Sequence, residues 1–244
     1  MEKDLLEVER LHYNELRANS DSDKCSNIEF QFLVDFVYDS INLEKTSQMS
    51  KEEVENLIKK EIIVSKYSER EQKEIINLAK AYQWIEKLVI QRRKLTEEIL
   101  KDLHDMLLKD ISSGGSYRGV NIQLENSRHQ PPNYIKVYDR MKKYFFDIER
   151  FKGTTVQKAA FAHASISKIH PFLEGNQKIA RLVMNYYLLL DGYIPITIPK
   201  KESILYKTSI DVFKEEKNLD AFSGYLSKII LERYDALINY LEMI

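Results

Sequence analysis

Apolar residues recur at three- and four-residue intervals along most of the chain, the spacing that places them on one face of a helix. Residues 1–18 read as a short amphipathic helix. The polar stretch Asn19-Ser20-Asp21-Ser22-Asp23-Lys24-Cys25-Ser26-Asn27 interrupts the pattern, and Asp21, Ser22 or Asp23 is placed to cap a following helix. Residues 28–41 are so apolar that periodicity alone fits helix or strand. The absence of a nearby hairpin partner selects helix. Residues 50–110 contain neither Gly nor Pro and keep helical spacing, which predicts three or four helices.

The pattern changes after Gly114-Gly115. Val120, Ile122 and Leu124 alternate with polar residues, a period of two that predicts a β segment, with Asn126-Ser127 as its turn and Pro131-Pro132 as its stop. Helical spacing returns at 133–150. Thr154 and Gln157 form a capping box that opens a helix to about Ile169. Another helix is expected from near Gly175 to before Gly192. A terminal helix from Leu219 places Phe222, Leu226, Ile229, Arg233, Leu237 and Tyr240 on one docked face. The expected fold class is all-α with one small β-hairpin.

Composition agrees with that reading. Seven glycines and five prolines in 244 residues fall well below the ordinary ~12%, too few for an all-β chain that turns every 8–12 residues or so. Thirty-seven basic and 38 acidic residues give a net charge of −1, so no global positive field favours nucleic acid. The single cysteine, Cys25, excludes an internal disulfide or a thiolate zinc cluster and points to a reducing, cytoplasmic setting. The charged N-terminus reads as neither signal peptide nor anchor. The apolar run near 182–190 is far short of the ~20 residues a membrane span needs.

The densest chemistry lies in His170-Pro171-Phe172-Leu173-Glu174-Gly175-Asn176-Gln177-Lys178-Ile179-Ala180-Arg181. Pro171 ends one helix and restricts His170 before it. The next helix starts after a Gly175-Asn176 turn and presents free N–H groups. Lys178 and Arg181 sit near that positive end, the wrong sign for stability unless an anion is bound there. Phosphate is the obvious anion. Glu174 beside it is placed to hold Mg²⁺. His170 at the lip suits proton acceptance from a hydroxyl. Base, metal ligand and anion cradle within twelve residues is what phosphoryl or nucleotidyl transfer needs. His163 reads as a buried orienting residue, and His12 and His104 as structural or exposed.

This segment resembles the Fic-family motif, HPFx[D/E]GNGRxxR. Ala159, His163 and Ile169 before it, and Leu182, Asn185, Leu189 and Gly192-Tyr193-Ile194-Pro195 after it, agree. Gly115-x-Tyr117-Arg118, Val120-x-Ile122 and His129-x-Pro131-Pro132 resemble that family's flap hairpin, so the resemblance spans about 85–210. It implies an all-α fold and transfer of AMP from ATP to a Ser, Thr or Tyr hydroxyl of a target protein, with Mg²⁺. By position, His170 would be the base and Glu174 the metal ligand. Gly175, Asn176, Gln177, Lys178 and Arg181 would contact the nucleotide's phosphates. Flap residues Val120, Asn121, Ile122, Gln123 and Leu124 would hold the target by strand addition.

Gln177-Lys178 replaces the usual Gly-Arg. Lys178 lacks the bidentate fork, and Gln177 adds a side chain where the backbone approaches a phosphate. The related Doc subgroup carries Lys at the Gly position and behaves as a kinase, so transfer of another phosphate-containing group, or a decayed nucleotide-binding module, stays open as the alternative. The family also often carries an inhibitory helix, [S/T]xxxE[G/N], whose Glu pairs with the motif's last Arg. Cys25-Ser26-Asn27-Ile28-Glu29-Phe30 lies at the expected place, which assigns Glu29 as inhibitory on a helix near 22–35. The expected organisation is an N-terminal segment 1–84, a core 85–210 and a docked C-terminal helix 211–244. Expected partners are a nucleotide and a target protein, with no membrane and no direct nucleic acid. A homodimer is allowed.

Overall fold

The computed structural model describes residues 2–60, 63–124 and 129–243. Among them are ten α-helices and no strand. They are α1 (Glu2–Ala18), α2 (Ser22–Glu44), α3 (Lys51–Lys60), α4 (Glu69–Ile90), α5 (Glu97–Leu108), α6 (Val137–Glu149), α7 (Thr155–Ile169), α8 (Asn176–Leu190), α9 (Ser203–Glu216) and α10 (Asp220–Glu242). Short 3₁₀ turns precede α6 and α9. No helix among the described residues is long and apolar enough to cross a membrane.

The helix boundaries follow local chemistry. Asp21 caps α2, its carboxylate accepting from the Asp23 and Lys24 N–H groups. Ser68 with Glu71 and Thr154 with Gln157 close reciprocal capping boxes on α4 and α7. The apolar 28–41 stretch is helix, inside α2, and residues 50–110 supply three helices. The α9 helix lies where the sequence pattern assigned no element. On α10, Phe222, Leu226 and Ile229 are buried as the periodicity predicts, while Tyr240 stays 44% exposed.

Helices α7 and α8 form the centre. Both are buried nearly all round, as expected of helices apolar on every side. They pack along each other, α4 and α5 lie against α8, and α10 lies against α7. Helix α1 docks on α10, and α2 on α3 and α4. This arrangement aims the turn between α7 and α8 at the C-terminal end of α2 and the N-terminal part of α4.

Among the described residues no strand of the predicted hairpin is seen. Residues 120–124 are irregular, and the predicted turn at Asn126-Ser127 lies outside the described residues. Side chains make the bonds that a ladder would otherwise make. Gln130 accepts from the Leu124 N–H (3.0 Å) and donates to the Leu124 carbonyl (3.3 Å). Asn121 Oδ1 accepts from the Tyr134 N–H at 3.0 Å, and Arg118 takes the Val120 carbonyl at 2.8 Å.

Candidate active site

His170 ends α7 in the left-handed region, φ 51° and ψ 62°, a conformation that costs a non-glycine residue about 1–3 kcal/mol. Two contacts hold it there. Its N–H donates to the Ile166 carbonyl at 2.8 Å, and its carbonyl accepts from Arg118 Nε at 2.9 Å. Arg118 is 3% exposed. It also donates to the Val120 and Pro132 carbonyls, and its own N–H reaches the Pro171 carbonyl at 2.9 Å. One guanidinium thus ties Val120 and Pro132 to the motif turn. His170 Nδ1 is sealed from solvent, with the Ser167 backbone beside the ring. Burial pulls the ring down to about 4, so His170 is neutral near pH 7 and able to accept a proton.

The motif turn is braced from inside. Asn176 accepts from the Phe172 N–H and donates to the Phe172 carbonyl, both at 2.9 Å. Its amide therefore shapes the loop. Gly175 takes φ 74° at the start of α8, where a glycine adopts the left-handed backbone without strain. Unlike α4, α5 and α7, α8 has no side-chain cap, and its first turn holds no acid. Its first N–H groups stay open to an anion.

His104, assigned no partner from sequence, is the main supporting residue outside the motif. Its ring stacks on Phe172 with centroids 3.7 Å apart and 10° between planes. Nδ1 accepts from the Gly115 N–H at 3.0 Å, which leaves Nε2–H to donate to the Glu174 carbonyl at 3.1 Å. Burial lowers its pKa and keeps the neutral form that this pair of bonds requires. Gly114 packs so closely that a Cβ there would lie 2.5 Å from the Asp105 Cα. The spacing of His104 from Gly114-Gly115 was the available sequence signal.

The expected pairing of Glu29 with Arg181 is not made. Glu29 is exposed and pairs with Arg17 on α1. Fifteen residues before the end of α2, it lies on a different stretch of the helix from the one that meets Arg181. Arg181, 2% exposed, instead pairs with Glu44 and donates from Nε to Ser40 Oγ at 3.1 Å. Lys178 Nζ lies 3.1 Å from both Glu44 and Glu74. The two cations that implied a bound anion are therefore balanced here by carboxylates from α2 and α4. Arg70 extends the chain, bonding Glu74 at 3.1 Å and Glu174 at 2.6 Å. Charges alternate through Glu174, Arg70, Glu74, Lys178, Glu44 and Arg181.

Burial would raise the Glu44 carboxyl, but Arg181 and Lys178 outweigh it and hold it below the usual range. Glu174 behaves alike, with burial opposed by Ser112 and Arg70. Ser40-Ile41-Asn42-Leu43-Glu44-Lys45 matches [S/T]xxxE[G/N] at Ser and Glu. Lys45 stands at the Gly/Asn place with φ 56°, the backbone region that favours those residues. That pattern, at the end of the helix rather than its start, was legible in the sequence. Behind Arg181, His163 Nε2 meets the Tyr206 hydroxyl at 2.7 Å, fully buried. Gln177 Nε2 donates to Ser167 Oγ at 3.0 Å, so its side chain bonds α7 rather than filling the phosphate space.

Residues 94–188 match the family model described as Fic/DOC family. Protein adenylyltransferase Fic of Drosophila persimilis is 26% identical over 175 residues, 70% of this chain and 34% of that protein. The protein of the same name from Drosophila grimshawi is 25% identical over 173 residues, covering 70% of this chain and 36% of that one. The chain spans about a third of the length of these curated relatives. A Fic domain-containing signaling protein from Bacteroides thetaiotaomicron superposes with a TM-score of 0.86, at 19% identity and 98% coverage of both chains. Fic-1 from C. elegans superposes at 0.84, with 18% identity, covering 99% of this chain and 73% of that one. The HPFLEGNQKIAR turn between α7 and α8 lies inside the residues that match the Fic/DOC family model, and the chain shares its fold with these Fic-domain structures.

Proposed function

We propose that this chain transfers AMP from ATP to a hydroxyl side chain of a target protein, and that Glu44 restrains it. The observation that carries the reading is the conjunction of a neutral His170 with an uncapped α8 N-terminus whose nearby cations are held by Glu44. In the reaction the target hydroxyl attacks the α-phosphorus, its proton passes to the His170 ring, and pyrophosphate leaves. The open N–H groups at Gly175, Asn176 and Gln177 receive phosphate oxygens. Arg181 is the partner for the distal phosphates. Glu44 occupies that guanidinium, so a distal phosphate must displace the carboxylate before ATP lies productively.

Glu174 suits Mg²⁺, because one carboxylate with phosphate oxygens and water is a common magnesium set. The ion would neutralise phosphate charge there. Arg70 now holds that carboxylate and must yield it. Residues 120–124 are exposed or half-buried and offer main-chain groups to an extended target segment. The Gln177–Ser167 bond favours AMP transfer over the kinase alternative, since the side chain is turned from the phosphate approach. Incubation with ATP labelled at either the α or the γ phosphate tests the reading: AMP transfer moves only the α label.

A further inference from the structure

A second cavity, of about 380 Å³, lies between α1, α2, α4, α10 and the chain after α8, and shares no lining residue with the motif turn. Its size falls in the range of small-molecule sites, about 300–1,000 Å³. Phe32 and Tyr82 form part of a largely apolar wall. Arg233 of α10 enters it with the guanidinium carbon 4.4 Å from the Phe32 ring centroid. Arg233 Nε is sealed from solvent with no hydrogen-bond partner, and the residue makes no ion pair among the described residues. Its nearest acid by electrostatic effect on this side, Asp35, is paired with Lys51 instead. The Tyr82 hydroxyl is likewise buried, with the Glu86 carboxyl beside it.

The acids in the cavity do not supply the missing charge. Glu29 is already paired with Arg17. Burial, then the charge of Glu29, pushes Glu86 up to about 7, so that carboxyl relieves its own desolvation by taking a proton. A guanidinium has no such escape, and in the half-buried Arg233 the sealed Nε–H has no partner. Arg233 is therefore the group that calls for a counter-ion. The apolar walls call for an organic body, and one unpaired guanidinium matches one negative charge.

We propose that this cavity binds a small organic monoanion, an aryl or branched-alkyl carboxylate. Its carboxylate sits on Arg233 and its apolar body lies against Phe32 and Tyr82. The site is independent of the nucleotide cleft.

The test uses phenylacetate, indoleacetate and isocaproate, each beside its primary amide, by ligand-observed NMR and calorimetry on the full chain. At least one carboxylate should bind saturably, and its uncharged amide should bind at least about tenfold more weakly, since a charge-assisted bond is lost. Saturating ATP should leave that affinity unchanged. Arg233→Gln should erase the preference for carboxylate over amide. Asn14→Trp, at an exposed position on the lining, should block both ligands. No binding by any carboxylate below about 10 mM, equal binding of acid and amide, or displacement by ATP would overturn the proposal. The wild-type acid–amide comparison stands even if a variant fails to fold.

Discussion

The Glu44 carboxylate at the end of α2 closes on the Arg181 guanidinium in the second turn of α8. The pair joins residues 137 positions apart in sequence and sets a carboxylate where a distal phosphate would lie. Breaking a buried pair costs about 3–5 kcal/mol when both partners are dry, and less here because Glu44 keeps 22% exposure. Glu44→Gly should lower the Tm of the free protein, restore part of it on addition of ATP, and raise AMP transfer by roughly 5–150-fold, the span of typical coupling energies. Thermal shift with and without ATP, beside labelling, checks this. Glu29→Gly should leave the labelling rate unchanged.

His170→Asn should lower transfer by about 10²–10⁴-fold, the usual cost of removing a general base, while keeping the fold. Asn tolerates the left-handed backbone at this position better than most residues. Single-turnover labelling with circular dichroism on the same sample measures both effects.

The acid limb of the reaction should lie low. Burial holds His170 at about 4, so the ring stays in its base form as pH falls through 6.5, where an ordinary histidine is half protonated. Measured on the Glu44→Gly variant, kcat/KM should stay level from pH 8 to about 5.5 on this ground. A midpoint near 6.5 would show that the reacting base is not the buried ring seen here.

His104→Phe keeps the stack on Phe172 but removes both hydrogen bonds, and each bond contributes about 0.5–1.5 kcal/mol. It should lower the Tm and reduce kcat. His104→Gln, which keeps a donor and an acceptor, should recover part of the activity. Equal loss in both variants would point to ring packing alone.

Gln177→Gly should change AMP transfer by less than about threefold, because the side chain bonds Ser167 and does not fill the phosphate approach. A large gain would mean that Gln177 swings into the nucleotide site during the reaction.

Much of the fold was legible because its signals are local. The capping box at Thr154, the stop at Pro171 and the Gly-free run before 110 each act within a few residues. The same holds for the compact His170–Arg181 motif. What was not legible depends on distant elements. Lys178 and Arg181 looked like an unbalanced anion cradle until α2 and α4 brought Glu44 and Glu74 against them. His104 gains its role only when α5 meets the motif turn. The period-two pattern at 120–124 was real, but a two-stranded ribbon is weak by itself, and Arg118, Asn121 and Gln130 make its backbone bonds from the side.

The central claim is nucleotidyl transfer by His170 under restraint by Glu44. Its most direct test is labelling of protein by ATP carrying the label at the α or the γ phosphate, in the wild type, in Glu44→Gly and in Glu44→Gly with His170→Ala. The account predicts α label only, weak in the wild type, strong in Glu44→Gly and lost in the double variant. Transfer of the γ label, or α labelling that Glu44→Gly does not raise and His170→Ala does not remove, would contradict it.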